Sequence, residues 1–378
     1  MYLRDRPIRR RRSRWPRLML AVAALAAVVY VANQRYDLLR NPFETPTPAP
    51  TPTRTTLSYL VEGQEYAEAG KFAEAIAAYT VVAQREPEND EVRRELVLLL
   101  IYSNRFKDAL PWAEEAVAIN PESALNQAYL ALALDWVGRA DEAYEVAQLA
   151  VELDPSLALA HAYMAEALAD LGSWYQAGIT AQTALQLDDR NAEVLRVRGY
   201  TLEVQGRYKD ALEYYRRALE LNPKNPFLYL TIGRNHRALL DFENAIASFR
   251  KGLEIANDDP WLRFELGKTL FQSGEQQLGL RELRKAVELK PDMPEAYTQL
   301  GMGLYLRQAY EEAIENMQKA IELGADGAIN YYIIGLSYLN LEQMDCESGV
   351  PWLLKALERE PDSAPALDGL RRCGVKPP

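Results

Sequence analysis

The side chains best suited to chemistry in this 378-residue sequence are few: two histidines, two cysteines, and a scatter of aromatic and basic residues in its middle third. His161 and His236 stand alone. Neither belongs to an H-E-x-x-H pair, and no G-x-S-x-G, P-loop or dinucleotide fingerprint occurs. The G-x-G of Gly301–Gly303 sits in a helical pattern with no strand before it, so it reads as packing. Cys346 and Cys373 lack the C-x-x-C spacing of zinc and redox sites. No catalytic residue, cofactor or metal is expected. The chemistry on offer is recognition, and recognition needs a frame.

That frame is a period of 34 residues. Ala75, Ala109, Ala143, Ala177, Ala211, Ala245, Gly279 and Ala313 form one series at this spacing. Gly63, Val97, Ala131, Ala165, Gly199, Gly233, Gly267, Gly301 and Gly335 form another. Within residues 192–225, Leu195, Gly199 and Leu202 recur at helical spacing and Gly206 interrupts. Tyr208, Ala211, Leu212, Tyr215, Ala218 and Leu219 resume it, and Pro223 stops the run. The unit is two amphipathic helices joined by a tight turn. One such hairpin cannot bury its apolar face, so neighbours must stack.

The unit resembles the tetratricopeptide repeat. Gly199, Gly206, Tyr208, Ala211, Tyr215, Ala218 and Pro223 match that family's pattern, as do Gly63, Gly70, Phe72, Ala75, Tyr79 and Pro87. Departures include Asp189, Asn257 and Ala325 at the closing proline, and Ala147 and Ala181 where an aromatic is usual. The ninth repeat gains two residues around Glu342 to Asp345. The resemblance implies an all-α, right-handed superhelical solenoid of about nine repeats over 56–361, with a capping helix and tail over 362–378. Both histidines fall at packing positions of such a repeat.

The first 55 residues differ in kind. Residues 1–17 hold eight arginines and one acid, a formal +7 in a chain of −11, which leaves −18 for the rest. Residues 18–32 are uncharged and apolar, and with their flanks to 34 they predict one transmembrane signal-anchor helix. A cleaved signal peptide shares these features, but cleavage after Ala32 would put Tyr30 at the third position before the cut. The basic tail stays cytoplasmic, which places the repeats outside the cytoplasm. Arginines directly before an apolar run serve topology rather than nucleic acid. Residues 35–55, rich in proline and threonine, read as an extended tether. None of the asparagines lies in an N-x-[ST] sequon.

In the tetratricopeptide family, first helices line a concave groove. Carried onto this sequence, the groove positions include Tyr102, Trp136, Tyr200, Phe227, Trp261, Phe264, Phe271, Tyr305 and Tyr332, with Arg196, Arg234, Arg237 and Lys268 among them. Aromatic anchors and a basic cluster inside an acidic array suit a protein or peptide partner bearing an acidic group. The other reading packs the aromatics between repeats and pairs the bases with Glu193, Glu203 and Glu265. The lysine and asparagine clamp of chaperone-binding members is not reproduced. The resemblance also sets the cap against the last repeat, so Cys346 and Cys373 can pair as a disulfide; two unpaired thiols are the alternative. The expected function is a bacterial, single-pass, membrane-anchored scaffold for protein binding, not an enzyme. Rival expectations are a binder of cell-wall glycan and an accessory subunit of an envelope enzyme complex.

Overall fold

A computed structural model describes residues 15–34, 54–341 and 344–376. The chain divides into two units, Met1–Arg54 and Thr55–Pro378. In the first, α1 (Trp15–Gln34) is a 20-residue helix on which Leu18, Leu20, Leu25 and Val28 are all exposed. The expected spanning helix needs correcting. Among the described residues, no helix is long and apolar enough to cross a membrane. The unbroken apolar run of residues 18–32 extends only about 22 Å, short of a hydrocarbon core of about 30 Å. The basic tail up to residue 14 and the tether over 35–53 lie outside the described residues.

The second unit is a stack of nine helical hairpins. The pairs are α2 (Thr56–Glu68) with α3 (Phe72–Arg85), α4 (Asp90–Tyr102) with α5 (Phe106–Ile119), and α6 (Ala124–Trp136) with α7 (Ala140–Leu153). Then come α8 (Ala158–Asp170) with α9 (Trp174–Leu187), α10 (Ala192–Glu203) with α11 (Tyr208–Leu221), and α12 (Pro226–Ala238) with α13 (Phe242–Ile255). The last are α14 (Pro260–Gln272) with α15 (Gln276–Leu289), α16 (Pro294–Leu306) with α17 (Tyr310–Glu322), and α18 (Ala328–Asn340) with α19 (Cys346–Arg359). A short α20 (Ala364–Arg372) covers the final pair. No strand occurs among the described residues.

Local chemistry sets each boundary. Asn191, Asn225 and Asp259 cap their first helices, each accepting from two backbone N–H groups, and Pro226 and Pro260 follow at the first helical position. Each first helix from the first repeat to the eighth ends in a left-handed residue. Five are glycine, but Asn104, Leu240 and Gln308 stand at the same phase with φ of 54°, 60° and 64°. The α12 turn closes when the Asp241 N–H donates to the His236 carbonyl at 2.9 Å.

The series from Gly63 to Gly335 explains the alanines at 147 and 181 noted above. A side chain at Gly199 would lie 2.8 Å from the Tyr215 ring, so an aromatic at the second position demands glycine at the first. Where the second shrinks to Ala113, Ala147 or Ala181, the first grows to Val97, Ala131 or Ala165, all fully buried. Close packing is kept by exchanging volume between helices.

α19 starts two residues late, which is where the insertion falls; Glu342 and Gln343 lie outside the described residues. Cys346 and Cys373 are joined, with an S–S distance of 2.06 Å and Cα atoms 5.7 Å apart. The bond ties α20 to α19 beside Leu353 and Leu370, both fully buried. Closing a loop of 27 residues stabilises by about 3–4 kcal/mol on the chain-entropy account. Cys373→Ser should therefore lose hydrogen-exchange protection in α20 first. Unchanged protection there would show that apolar packing alone holds the cap.

Candidate functional site

The residues expected in the groove separate into two groups. One group is closed on itself. The Tyr102 ring lies between Phe72 and Phe227, with centroids at 5.7 and 5.1 Å, and Trp136 meets Phe227 edge-on at 5.9 Å. Tyr102 and Phe227 come from α4 and α12, 125 positions apart, and each is only 6% exposed. The neighbouring turn joins the same contact, since a side chain on Gly70 would run into the Lys224 carbonyl. Phe227 is therefore not an open anchor, as expected above, but part of a clasp between early and middle repeats. Aromatic faces with no partner gain more by burying each other than by remaining in water.

Behind the clasp lies a buried charge cluster. Arg196 donates to both Glu166 oxygens at 2.8 and 2.6 Å, and through Nε to Glu193 at 3.0 Å. All three are more than nine-tenths buried. The Tyr102 hydroxyl donates to Glu193 as well. Arg196 thus departs from the groove role expected of it: its donors are consumed inside the array. Asp135 lies close by, with Oδ1 lacking any hydrogen-bond partner. Burial, and then Glu166 and Asp170, push its carboxyl up to about 9 against the pull of Arg196. Tyr200 is half-buried, and its hydroxyl donates to Asp170.

The second group faces open space. Arg234, Arg237, Lys268 and Gln272, with Ala238, Leu240 and Phe242, line a recess of about 420 Å³. Arg234 donates to Glu265 at 2.8 Å, and Arg237 also pairs with it. Burial pushes the Glu265 carboxyl up, but the two arginines outweigh this and hold it below its ordinary value. Lys268 makes no ion pair among those found and lies over the Phe264 ring at 5.9 Å. Its ammonium is held low by burial and by Arg237. Three cations therefore share one carboxylate at the edge of a recess.

The remaining expectations divide. Phe264 is buried at 6% exposure, and Trp261 is half-buried with its ring edge-on to Phe264 at 6.3 Å. Phe271 packs between repeats, against Gly303 and Gly279. His236 is buried between Asp241 and Arg216, and His161 Nε2 donates to the Pro155 carbonyl at 2.9 Å. No cluster of three or more metal-ligating side chains occurs among the described residues. Leu240 and Phe242 escaped the sequence reading. The signal for Leu240 was present: it stands where five sister repeats have glycine, and it is 73% exposed.

Family profiles described as tetratricopeptide repeat match residues 66–133, 192–225, 228–259 and 264–328, together more than half of the chain. Similar solved structures include the APC/C hetero-tetramer Cut9–Hcn1, at 18% identity and a TM-score of 0.65. That match covers 79% of this chain and 59% of the other, so the chain spans about three-fifths of that relative. The human IFIT1 dimer with PPP-AAAA matches at 18% identity and a TM-score of 0.59, over 83% of this chain and 81% of that one. YrrB, a TPR protein with an unusual peptide-binding site, matches at 26% identity over 50% of this chain and 97% of its own, with a TM-score of 0.43. No curated protein matches the sequence. The first two likenesses concern the fold alone.

Proposed function

Because the chain belongs to the tetratricopeptide repeat family, we propose that it is a non-catalytic scaffold that captures an extended segment of another protein by an acidic group. One observation carries this reading. Arg234, Arg237 and Lys268 surround an open recess, and among the described residues Glu265 is the one carboxylate found in an ion pair with them, in a chain whose net charge is −11. A carboxylate entering the recess meets planar guanidinium donors suited to bidentate contact. Leu240 offers an apolar shelf beside it. Holding a leucine left-handed costs about 1–2 kcal/mol, a strain more readily retained where the side chain has a use.

Glycan binding loses support, because Tyr102, Phe227 and Phe264 are packed rather than presented. We place the repeats outside the cytoplasm, attached at a membrane through α1. The disulfide suits an oxidising compartment, and the exposed apolar side chains of α1 suit an apolar medium. External protease and alkaline extraction of membranes test this placement; labelling by a cytoplasmic thiol or amine reagent would sink it.

The binding test must respect Glu265, which is only 4% exposed. Reversing Arg234 and Arg237 would strand a buried carboxylate and damage the fold, so the two are not independent surface charges. Neutralising the trio together, Arg234→Gln, Arg237→Gln and Glu265→Gln, avoids this. A fluorescent decapeptide ending in Leu-Glu with a free carboxylate is the probe. Its affinity should fall at least about tenfold in the triple variant and lose its salt dependence, with the urea midpoint kept. Equal binding by both proteins, or none by the parent, rejects the recess.

A further inference from the structure

The basic recess belongs to one junction of the stack. Arg234 and Lys268 stand 34 residues apart, at the same phase of the consecutive first helices α12 and α14. The other seven repeats have no cation there; Leu98, Leu132, Tyr200, Met302 and Leu336 are among the residues at that position. Arg237, three residues on in α12, is the third cation. Among the described residues, the recess of about 420 Å³ is lined by these three, by Gln272 and by the apolar Ala238, Leu240 and Phe242, with no acid. Glu265 is only 4% exposed and is not part of that lining. Three cations against this one carboxylate leave a local excess of two positive charges.

Most donors on this wall are unspent. Arg234 reaches Glu265 through Nε at 2.8 Å, and Arg237 reaches it through Nη1. No hydrogen bond or ion pair found among the described residues uses Arg234 Nη1 or Nη2, Arg237 Nε or Nη2, or Lys268 Nζ. None of these nitrogens is sealed from solvent. They belong to three side chains on two helices, so a group in the recess meets them from separate directions. The Lys268 ammonium is held low by burial and by Arg237, and an incoming anion offsets both effects.

We propose that the recess takes a phosphate monoester, carried on an extended segment, in preference to a carboxylate. This rests on the reading of the recess as a binding site and names the acidic group. A carboxylate brings one charge and two oxygens in one plane. A phosphate monoester near neutral pH brings close to two charges and three strong acceptor oxygens. Those numbers match an excess of two charges and three donor side chains. Guanidinium groups hold phosphate oxygens through paired parallel bonds, and an ammonium beside them acts as a point charge. Partial burial of the wall strengthens the pull on the second charge, because less solvent lies between the ions. Leu240, 73% exposed at the rim, offers an apolar surface to the residue next to the ester.

Fluorescence anisotropy of the full chain in nonionic detergent tests the choice. One decapeptide, amidated at its C-terminus, is used in two forms that end in Leu-phosphoserine and in Leu-Glu. Near neutral pH the phosphoserine form should bind at least about tenfold tighter than the glutamate form. At about pH 5 the phosphate has taken up its second proton, and the ratio should fall below about threefold. The ratio cancels titration of His236, Asp241 and Asp259, which lie on the elements around the recess and act on both peptides. Lys268→Gln should cost the phosphoserine form at least about tenfold and the glutamate form about threefold or less. Lys268→Arg should restore the preference, and both variants should keep the parent's urea midpoint. A ratio near one at neutral pH, with the glutamate form bound, overturns the proposal and leaves the recess as a site. Binding of neither form removes both. A ratio that ignores pH, or that survives Lys268→Gln, also overturns it. So does inorganic phosphate that displaces the peptide with the peptide's own affinity, which would leave the segment no part.

Discussion

Arg196→Met should destabilise the repeat array by roughly 3–5 kcal/mol, the usual cost of leaving a buried charge without its partner. Arg196 supplies three donors to Glu166 and Glu193, and all three residues are more than nine-tenths buried. Methionine keeps the stem but leaves two carboxylates in a site that water reaches poorly. The urea midpoint of Arg196→Met, read against the parent at equal slope, checks the size of the loss. Pairing it with Glu166→Met should return a large part of that loss, since replacing both members of a buried ion pair with apolar groups is often tolerated. A loss under about 1 kcal/mol would mean that the cluster is open to solvent.

Asp135→Asn should act in the other direction. The folded carboxyl titrates at about 9, against an ordinary value of 3.8. Above pH 4 the unfolded chain gives up this proton while the folded chain keeps it. The stability linked to Asp135 is therefore complete below pH 4 and is lost steadily as pH rises to about 9, where it levels off. Asparagine removes that loss. Allowing for relaxation of a coupled cluster, the variant should be more stable by about 2 kcal/mol at pH 7, with no gain at pH 4. Parallel melts from pH 4 to 9 give the difference curve. A flat curve would show that Asp135 is ionised and hydrated in the folded array.

Much of the fold could be read because the packing residues repeat. From Thr56 to Ala328, first helices begin 34 residues apart, and the shift of α19 follows the two added residues. The site was harder to read for definite reasons. The period assigns Tyr102 and Phe227 to first-helix positions but contains no measure of curvature, so it could not reveal that they touch. The sequence places Arg196 in the groove because only one of its two acids, Glu193, stands near it along the chain. The other, Glu166, lies 30 residues back, almost a full repeat, which is a neighbour in a stack. Leu240 was legible in principle. It is an odd residue in a column of mostly glycines, and such exceptions stand out only when the columns are compared.

The clasp at Tyr102 changes how the array can come apart and come together. A stack held only by adjacent contacts melts like a line, one unit at a time from either end. Linking α4 to α12 turns that line into a loop. Peeling from the first repeat cannot proceed freely until Tyr102 leaves Phe227 and Glu193, so the amino-terminal hairpins share the fate of the middle ones. Synthesis imposes the matching delay. The early hairpins can form from local contacts as they emerge, but Tyr102 meets Glu193 only after 91 further residues and Phe227 only after 125. Until then its ring and that of Phe72 face water, and the growing chain carries an unfinished seam whose closing is the slow, long-range step.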